Sequence, residues 1–236
     1  MAKRRTLTCR RVLLRLAAAA AGILLFAAAV VWLTWPDVAA LAEERPETTA
    51  FIEAARARGD EVRWRWVPYA GISLEMKKAV VVAEDLSFFS HQGFDTHEIK
   101  LAAREAVQGK RVRGASTITQ QLAKNLWLTP SRSPFRKLRE VVLTRQLEQH
   151  LSKRRILEIY LNVAQFGPEI YGAEAAAVQY FGVPAAVIDV DQAARLAAAL
   201  PRPSSWHPGV STRGYERAVS RIRLRAEQMD WLDQLL

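Results

Sequence analysis

From Ser73 onward, apolar residues recur at intervals of three and four positions, the spacing of one face of an α-helix. This spacing predicts a helix from Ser73 to about Leu86, with Met76, Ala79 and Val80 on its buried side. Further helices are predicted at residues 49–58, after Ser116, from 133 towards 151, after Ser152 and at 189–200. Only one short strand, at residues 63–66, is predicted, so the expected fold class is all-α.

A long apolar stretch precedes these helices. Residues 16–33 carry no charge, and at ~1.5 Å per residue such a helix is long enough to cross a bilayer. The basic residues before it predict a cytoplasmic N-terminus and an extracytoplasmic domain at the inner (plasma) membrane. The alternative is a cleaved signal peptide, because residues 40–42 read Ala-Leu-Ala.

These patterns divide the chain into four segments. The expected segments are a basic cytoplasmic tail at residues 1–15, a transmembrane anchor at 16–35, a membrane-proximal stalk at 36–62, and the main helical domain at 63–236. A chain of this length can bury one sizeable core. The segment from 63 onward is therefore expected to carry the function.

Charge and cysteine content exclude several classes of protein. The net charge is +10, but six of the positive charges precede the first acidic residue, Asp37, so the rest of the chain has only a modest excess. Nucleic acid is therefore not expected as a partner. The single cysteine, Cys9, lies in the basic tail, so the main domain has neither a disulfide nor a thiolate metal site.

A pair of carboxylates ends the first helix of the main domain. Glu84 and Asp85 are followed by Phe88, Phe89 and His91. A carboxylate beside apolar rings is desolvated, which raises its pKa and makes it a better base near neutral pH. The alternative is a solvated helix end. His91 lacks a neighbour that would make it a metal ligand, and it is expected to support the carboxylates or to face solvent.

A second group of polar residues follows Gly114 in the sequence GASTITQQLAKN. Free N–H groups at a helix start can bind an anion, and Gln121, Lys124 and Asn125 share one polar helix face. An ordinary capped amphipathic helix explains the same pattern. The glycine spacing excludes a nucleotide phosphate loop.

A third group, SRSPFRKLRE at residues 131–140, surrounds one acid with cations. Arg136 and Lys137 lie one helical turn before Glu140. This spacing fits surface ion pairs, and it fits equally well a site for a diphosphate, with the acid orienting a cation or holding a divalent metal.

Together these stretches resemble the peptidoglycan glycosyltransferases, both the monofunctional enzymes and the corresponding domain of bifunctional penicillin-binding proteins. The shared patterns are E-D-x-x-F-x-x-H-x-G-x-D at 84–95, G-x-S-T-I-T-Q-Q at 114–121, R-K-x-x-E at 136–140 and I-L-E-x-Y-L-N at 156–162. The resemblance runs from about Trp64 to Met229. It implies a lysozyme-like, two-lobed helical domain that polymerises lipid II into a growing β-1,4-linked glycan strand with inversion, releasing undecaprenyl diphosphate.

The resemblance also implies roles for individual residues. Glu84 is expected to be the general base, and Glu140 is expected to be the second acidic residue of the catalytic site. The expected substrate contacts are Ser116, Gln121, Lys124, Arg132, Arg136, Lys137 and Arg139, and the expected supporting residues are Asp85, Phe88, His91, Thr117, Gln120 and Asn125. A divalent metal ion, Mg²⁺ or Mn²⁺, at Glu140 stays open, as do bifunctional penicillin-binding proteins or division proteins as partners at the bilayer.

Two features depart from the family pattern. Gln165 occupies a position where relatives often have Glu, and Glu169 a position where a glycine is expected. The chain also lacks the S-x-x-K and K-T-G motifs of a penicillin-sensitive transpeptidase, which predicts a monofunctional enzyme. A lysozyme-like glycan hydrolase and a catalytically inactive membrane scaffold are the alternative functions.

Overall fold

The structure is a computed structural model that describes residues 2–108, 116–129 and 133–236. The chain divides after Asp37 into two compact units. The first contains the helix α1 (Ala2–Leu33). Among the described residues, no helix combines the length and the apolar composition that crossing a bilayer requires.

The second unit is built mainly from helices, and the all-α prediction is confirmed. They are α2 (Ala50–Ala57), α3 (Leu74–Glu84), α4 (Thr96–Val107), α5 (Ile118–Trp127), α6 (Pro134–His150), α7 (Lys153–Val163), α8 (Ala173–Phe181), α9 (Val190–Ala199) and α10 (Arg213–Glu227). Single turns of 3-10 helix occur at Ala39–Ala42, Tyr69–Gly71, Ala185–Val187 and Asp230–Gln234. The predicted helices correspond to α2, α3, α5, α6, α7 and α9.

Polar caps set the starts of these helices. The side chains of Ser73, Thr117, Ser152 and Asp189 each accept a hydrogen bond from a backbone N–H in the first turn of the helix that follows. Thr117 and Asp189 form complete capping boxes with Gln120 and Gln192. The helix predicted after Ser116 therefore begins at Ile118, with Thr117 as its cap.

Three very short strands form a small sheet at one side of the second unit. They are β1 (Arg63–Trp64), β2 (Gln165–Gly167) and β3 (Ile170–Tyr171). Their order is β1-β3-β2, with β1 parallel and β2 antiparallel to β3. The predicted strand at 63–66 is thus present but ends at Trp64.

The helices of the second unit pack against one another through buried apolar faces. Helix α3 packs against α9 and α10, while α5 packs against α6 and α7. The buried faces carry Met76 and Val80 on α3, Leu122 on α5 and Leu143 on α6, all fully buried. Burial of this apolar area, at about 25 cal/mol per Å², is the main force that holds the helices together.

Residues 38–62, which the sequence sets apart as a stalk, lie in the same compact unit as the rest of the domain. Ile52 and Ala55 of α2 are fully buried and form a cluster with Tyr171 of β3. The guanidinium of Arg155 donates to the carbonyl oxygens of Leu41 at 2.8 Å and Glu44 at 2.7 Å. This segment therefore belongs to the folded domain.

Candidate active site

Glu84 is the last residue of α3, and its carboxylate is partly buried. Burial raises the pKa of this carboxyl above its usual range, because the charged form loses its water. A hydrogen bond from Gln121 and the charge of Lys124 lower the pKa, while the charge of Asp85 raises it. A carboxylate whose pKa is raised in this way is a stronger proton acceptor than one in water.

Gln121 connects Glu84 to a buried tyrosine. Its Nε2 donates to Glu84 Oε2 at 2.6 Å, and its Oε1 accepts from the hydroxyl of Tyr160 at 2.9 Å. The three side chains come from α3, α5 and α7, so three helices meet at one hydrogen-bonded chain. Tyr160 is a member of the site to which the sequence assigns no role, although it lies in the I-L-E-x-Y-L-N motif.

Asp85 lies directly after Glu84 but faces a different set of partners. Its carboxylate is buried, accepts a hydrogen bond from the backbone N–H of Ile118 at 3.0 Å, and lies 3.0 Å from the ring of His91. The hydroxyl of Thr117 donates to the carbonyl oxygen of Gly93 at 2.6 Å. Asp85 therefore joins the end of α3 to the start of α5.

Other predicted supporting residues lie close to this junction. Gln120 is buried, and its side chain completes the capping box at the start of α5. Phe88 is fully buried, meets Phe89 edge to face, and lies 4.5 Å from Nζ of Lys153. Asn125 is buried further along α5. Because Gln120, Phe88 and Asn125 are buried, they contribute to the packing around the site.

Lys124 lies on α5 between the two acidic groups of the site. Burial lowers the pKa of its ammonium group, and the carboxylates of Glu140 and Glu84 raise it. Arg136 and Lys137 lower it further. The charges of Glu84 and Glu140 thus both act on the ammonium group of Lys124.

Glu140 is buried on α6 and is paired with two cations. Arg136 contacts its Oε2 at 3.1 Å, and Lys137 contacts its Oε1. The buried Nε of Arg136 has no hydrogen-bond partner among the described residues. Arg139 is exposed on the same helix, and Arg132 lies outside the described residues. The cluster presents net positive charge beside one carboxylate, as an anionic group would require.

A cavity of about 830 Å³ opens beside Glu84. Its lining includes Glu84, His91 and Ser116, together with the start of α4, and Arg225 and Trp231 from the carboxyl-terminal part of the chain. Ser116 is exposed there. Lys124 and the Glu140 cluster are not among the residues that line this cavity.

The donor set around Glu140 does not fit a divalent metal. Mg²⁺ and Mn²⁺ prefer several oxygen ligands, yet both oxygens of Glu140 contact cations. No group of three or more His, Cys, Asp or Glu residues suited to a metal is found in the described part of the chain. The metal at Glu140 stays a prediction from the sequence, and no step of the reaction below is derived through it.

Glu169 has a backbone angle that favours glycine. Its φ is +60°, in the left-handed region, and it is the one non-glycine residue with positive φ among those described. Its carbonyl oxygen accepts a hydrogen bond from the backbone N–H of Arg63 at 2.8 Å, which connects the β2–β3 turn to β1. Gln165 donates to the carbonyl oxygen of Gly167 within the same turn. The turn thus keeps the conformation that a glycine would adopt easily.

Fold and site together define a mostly helical domain that holds a desolvated carboxylate, Glu84, and a cluster of cations around Glu140. A family model described as Transglycosylase matches residues 47–230. The chain therefore belongs to the transglycosylase family.

Three relatives show how far the similarity extends. A biosynthetic peptidoglycan transglycosylase of Azoarcus sp. (strain BH72) is 45% identical over 88% of this chain and 92% of its own. Proteins of the same description from Thiobacillus denitrificans (46% identical, 88% and 90% covered) and Alcanivorax borkumensis (47% identical, 85% and 80% covered) are equally similar. The resemblance to peptidoglycan glycosyltransferases is therefore confirmed.

Proposed function

We propose that this chain polymerises lipid II, joining its disaccharide units into a β-1,4-linked glycan strand and releasing undecaprenyl diphosphate. The observation that carries the proposal is a desolvated carboxylate, Glu84, near a separate cationic cluster around Glu140. A base for an attacking hydroxyl and cations for an anionic leaving group are what this transfer needs. The description shared by the relatives supports the same activity.

Glu84 takes a proton from the 4-hydroxyl of the acceptor's N-acetylglucosamine. That oxygen forms a bond to C1 of the donor's N-acetylmuramic acid as the bond from C1 to the diphosphate oxygen breaks. The bonding electron pair leaves with the diphosphate, and the proton stays on Glu84. The raised pKa of Glu84 supports this role, because a stronger base removes the hydroxyl proton more readily.

The cations act on the leaving group. The diphosphate gains negative charge as the bond to C1 breaks, so positive side chains held close to it stabilise the transition state. Lys124, Arg136 and Lys137 supply this charge, and Glu140 holds Arg136 and Lys137 in place through its two oxygens. A diphosphate leaves without a strong general acid, which is why a second protonated carboxyl is not required.

A base for the attacking hydroxyl and cations for the leaving group are the parts that a direct displacement needs. Attack on C1 from the side opposite the leaving group inverts the configuration, so an α-linked donor gives a β-linked product. Glu84 lines the cavity, whereas the cationic cluster lies outside its lining. The cavity is accordingly assigned to the acceptor and the cationic side to the donor diphosphate.

The substitution Glu84→Gln tests the proposal. We expect the rate of lipid II polymerisation to fall by about 10²- to 10⁴-fold, since a positioned base contributes about that much. Glu75→Gln is the matched control, because it makes the same change at an exposed residue of the same helix. A Glu84→Gln enzyme that folds normally and polymerises lipid II at the wild-type rate would remove Glu84 from the mechanism.

The same preparation distinguishes synthesis from hydrolysis. Incubation with lipid II should give glycan strands, and incubation with finished peptidoglycan should release no fragments. Release of fragments without polymerisation of lipid II would favour the hydrolase.

A second experiment tests the metal. The rate of lipid II polymerisation is measured for chelator-treated enzyme with and without added Mg²⁺ or Mn²⁺. Equal rates are expected, because Arg136 and Lys137 already neutralise Glu140.

We also propose that α1 attaches the enzyme to the inner membrane with its N-terminus in the cytoplasm. The support comes from the uncharged run at residues 16–33 and its basic flank. Phe26 and Trp32 leave more than two thirds of their surface exposed. Flotation with phospholipid vesicles tests the idea: the full chain should float, and a variant with three aspartates at positions 23, 26 and 30 should not.

A further inference from the structure

Tyr160 is a buried polar residue that the reaction described above does not use. Its side chain is 1% exposed, and its hydroxyl donates to Gln121 Oε1 at 2.9 Å. Burial raises the pKa of this hydroxyl well above its ordinary range, and the charges of Glu84 and Asp85 act in the same direction. The hydroxyl therefore keeps its proton at every pH at which the enzyme works, and it needs an acceptor.

The amide of Gln121 has one donor end and one acceptor end, and the two ends face different groups. Nε2 faces the carboxylate of Glu84, which only accepts, and Oε1 faces the hydroxyl of Tyr160. If the amide turned over, an oxygen would face a carboxylate, and the buried tyrosine would lose the acceptor for its proton. Both ends thus favour the same orientation.

We propose that Tyr160 is a positioning residue that acts through Gln121: its hydroxyl holds the amide with Nε2 towards Glu84. The inference rests on the role of Glu84 as the base. A second effect has the same direction, because a donor on the carbonyl oxygen of an amide strengthens the hydrogen bond that the amide nitrogen donates. Tyr160 thereby sets how firmly the carboxylate is held and in which direction its second oxygen points.

The consequence is a change in the pH range over which the base is ionised. A hydrogen bond donated to a carboxylate favours the charged form, so Gln121 lowers the pKa of Glu84 against the effect of burial. Loss of the Tyr160 hydroxyl weakens that bond, and the pKa of Glu84 rises. The acidic limb of the pH–rate profile then moves to higher pH.

The other charges around Glu84 stay unchanged when the tyrosine hydroxyl is removed. Asp85 follows Glu84 in the chain, and Lys124 faces it from α5. The cavity beside Glu84 also carries His91, Asp95, His97, Glu98 and Arg225. Because the Tyr160 hydroxyl is hydrogen-bonded to Gln121 and Tyr160→Phe changes no charge, a shift of the acidic limb reports on the connection through Gln121.

The test is the pH–rate profile of lipid II polymerisation for Tyr160→Phe. We expect the midpoint of the acidic limb to rise by about one pH unit, which lowers the rate roughly tenfold at pH values below the midpoint. At pH values well above the midpoint the rate should approach that of the wild type. An acidic limb that stays in place in the folded variant would overturn the inference.

Tyr215→Phe is the matched control. Tyr215 is also fully buried, and its hydroxyl donates to the backbone carbonyl oxygen of Arg195 at 2.9 Å, on α9. Loss of the Tyr215 hydroxyl should lower the midpoint of thermal unfolding about as much as loss of the Tyr160 hydroxyl does. It should leave the pH–rate profile unchanged. A general effect of destabilisation would move both profiles.

Two further variants complete the design. p-Aminophenylalanine in place of Tyr160 restores a donor and should return the acidic limb to its wild-type position, and failure to do so would count against the inference. Gln121→Met should raise the midpoint of the acidic limb by itself, and adding Tyr160→Phe should raise it no further.

Failure of the proposed base and failure of the proposed Tyr160 role give different results. If Glu84→Gln polymerises lipid II normally, the proposed base is wrong. If Glu84→Gln is inactive and Tyr160→Phe has a wild-type pH–rate profile, only the role of Tyr160 is wrong.

Discussion

His91 meets both carboxylate oxygens of Asp85 through a single ring nitrogen. Nε2 lies 3.0 Å from Oδ1 and 3.0 Å from Oδ2, and Nδ1 accepts a hydrogen bond from the backbone N–H of Gly93 at 3.1 Å. Because Nδ1 is an acceptor, the ring hydrogen sits on Nε2 and points at Asp85. The neighbouring carboxylates of the motif thus have different partners, since Glu84 accepts from Gln121 and Asp85 joins the backbone N–H of Ile118 to the ring of His91.

Asp85→Asn should destabilise the domain. The amide group of Asn has one acceptor oxygen, so its NH₂ must face either the N–H of Ile118 or the Nε2–H of His91. We expect the free energy of unfolding to fall by about 2 kcal/mol, because a buried donor loses its acceptor and the remaining hydrogen bonds lose their charged acceptor. Urea unfolding measures this change in the free energy of unfolding. Asp191→Asn, which weakens partly exposed ion pairs with Arg195 and Arg223, should cost less than about 1 kcal/mol.

Glu84→Gln should stabilise the domain at neutral pH. Burial raises the pKa of Glu84, so the folded state binds this proton more tightly than the unfolded state does. The charged carboxylate therefore costs stability above the folded pKa, and this cost declines as the pH falls through that pKa and is absent below the unfolded value. We expect a gain on the order of 1 kcal/mol at pH 8, as is common where function opposes stability.

The measurement is urea unfolding of Glu84→Gln and wild type between pH 8 and pH 4. The gain should be largest at pH 8 and should vanish at the acidic end. Glu75→Gln, on the exposed side of the same helix, should show no such trend. A Glu84→Gln protein that is less stable than wild type at pH 8 would contradict the assignment of a desolvated carboxylate.

Glu140→Gln should move the alkaline limb of the pH–rate profile to lower pH. Burial already lowers the pKa of Lys124, and the charge of Glu140 is the leading influence that raises it. Without that charge the pKa of Lys124 falls further. The protonated, diphosphate-binding form is then lost at a lower pH as the pH rises.

Lipid II polymerisation between pH 7 and pH 10 measures this shift. A midpoint that falls by roughly half a unit to one unit is expected for the loss of one nearby charge. Glu216→Gln, on α10 and paired with Arg195, is the control, and its profile should match the wild type. An unchanged alkaline limb for Glu140→Gln would mean that Lys124 does not bind the substrate as an ammonium ion.

Glu169→Gly should stabilise the β2–β3 turn. A residue with a Cβ at φ +60° costs about 1–2 kcal/mol, and glycine adopts this angle freely at a smaller entropic cost in the unfolded chain. A net gain of about 0.5–1 kcal/mol in the free energy of unfolding is expected. Glu169→Ala keeps the Cβ and removes only the exposed carboxylate, so it should leave stability nearly unchanged; an equal gain in both variants would locate the effect in the charge.

The sequence predicts the helices whose apolar residues follow a clear period. Helix α3, with Met76 and Val80 buried, and helix α5, with Leu122 buried, are of this kind. Helix α8 is not predicted, because its alanines make all its faces similarly apolar and leave no clear stripe. The strands β2 and β3 are too short to show an alternating pattern. Local periodicity therefore gives the helical class and misses the small sheet.

The membership of the site is harder to predict than the helices. Three of the four motifs contain Glu84, Gln121 and Glu140, and their resemblance to the family is what predicts these residues as site members. The bond from Tyr160 to Gln121 joins residues 39 positions apart on different helices. A helical period shows which face of α7 is buried but not which helix that face meets, so this contact is visible only in the folded chain.

The packing of α2 and the contacts of Arg155 decide where the enzyme can be shortened. A soluble form that starts at residue 63 would lose Ile52 and Ala55 from their cluster with Tyr171, and it would leave two donor groups of Arg155 without their acceptors. A form that starts at Val38 keeps these contacts. For expression without the amino-terminal helix, residues 38–62 are therefore part of the minimal folding unit.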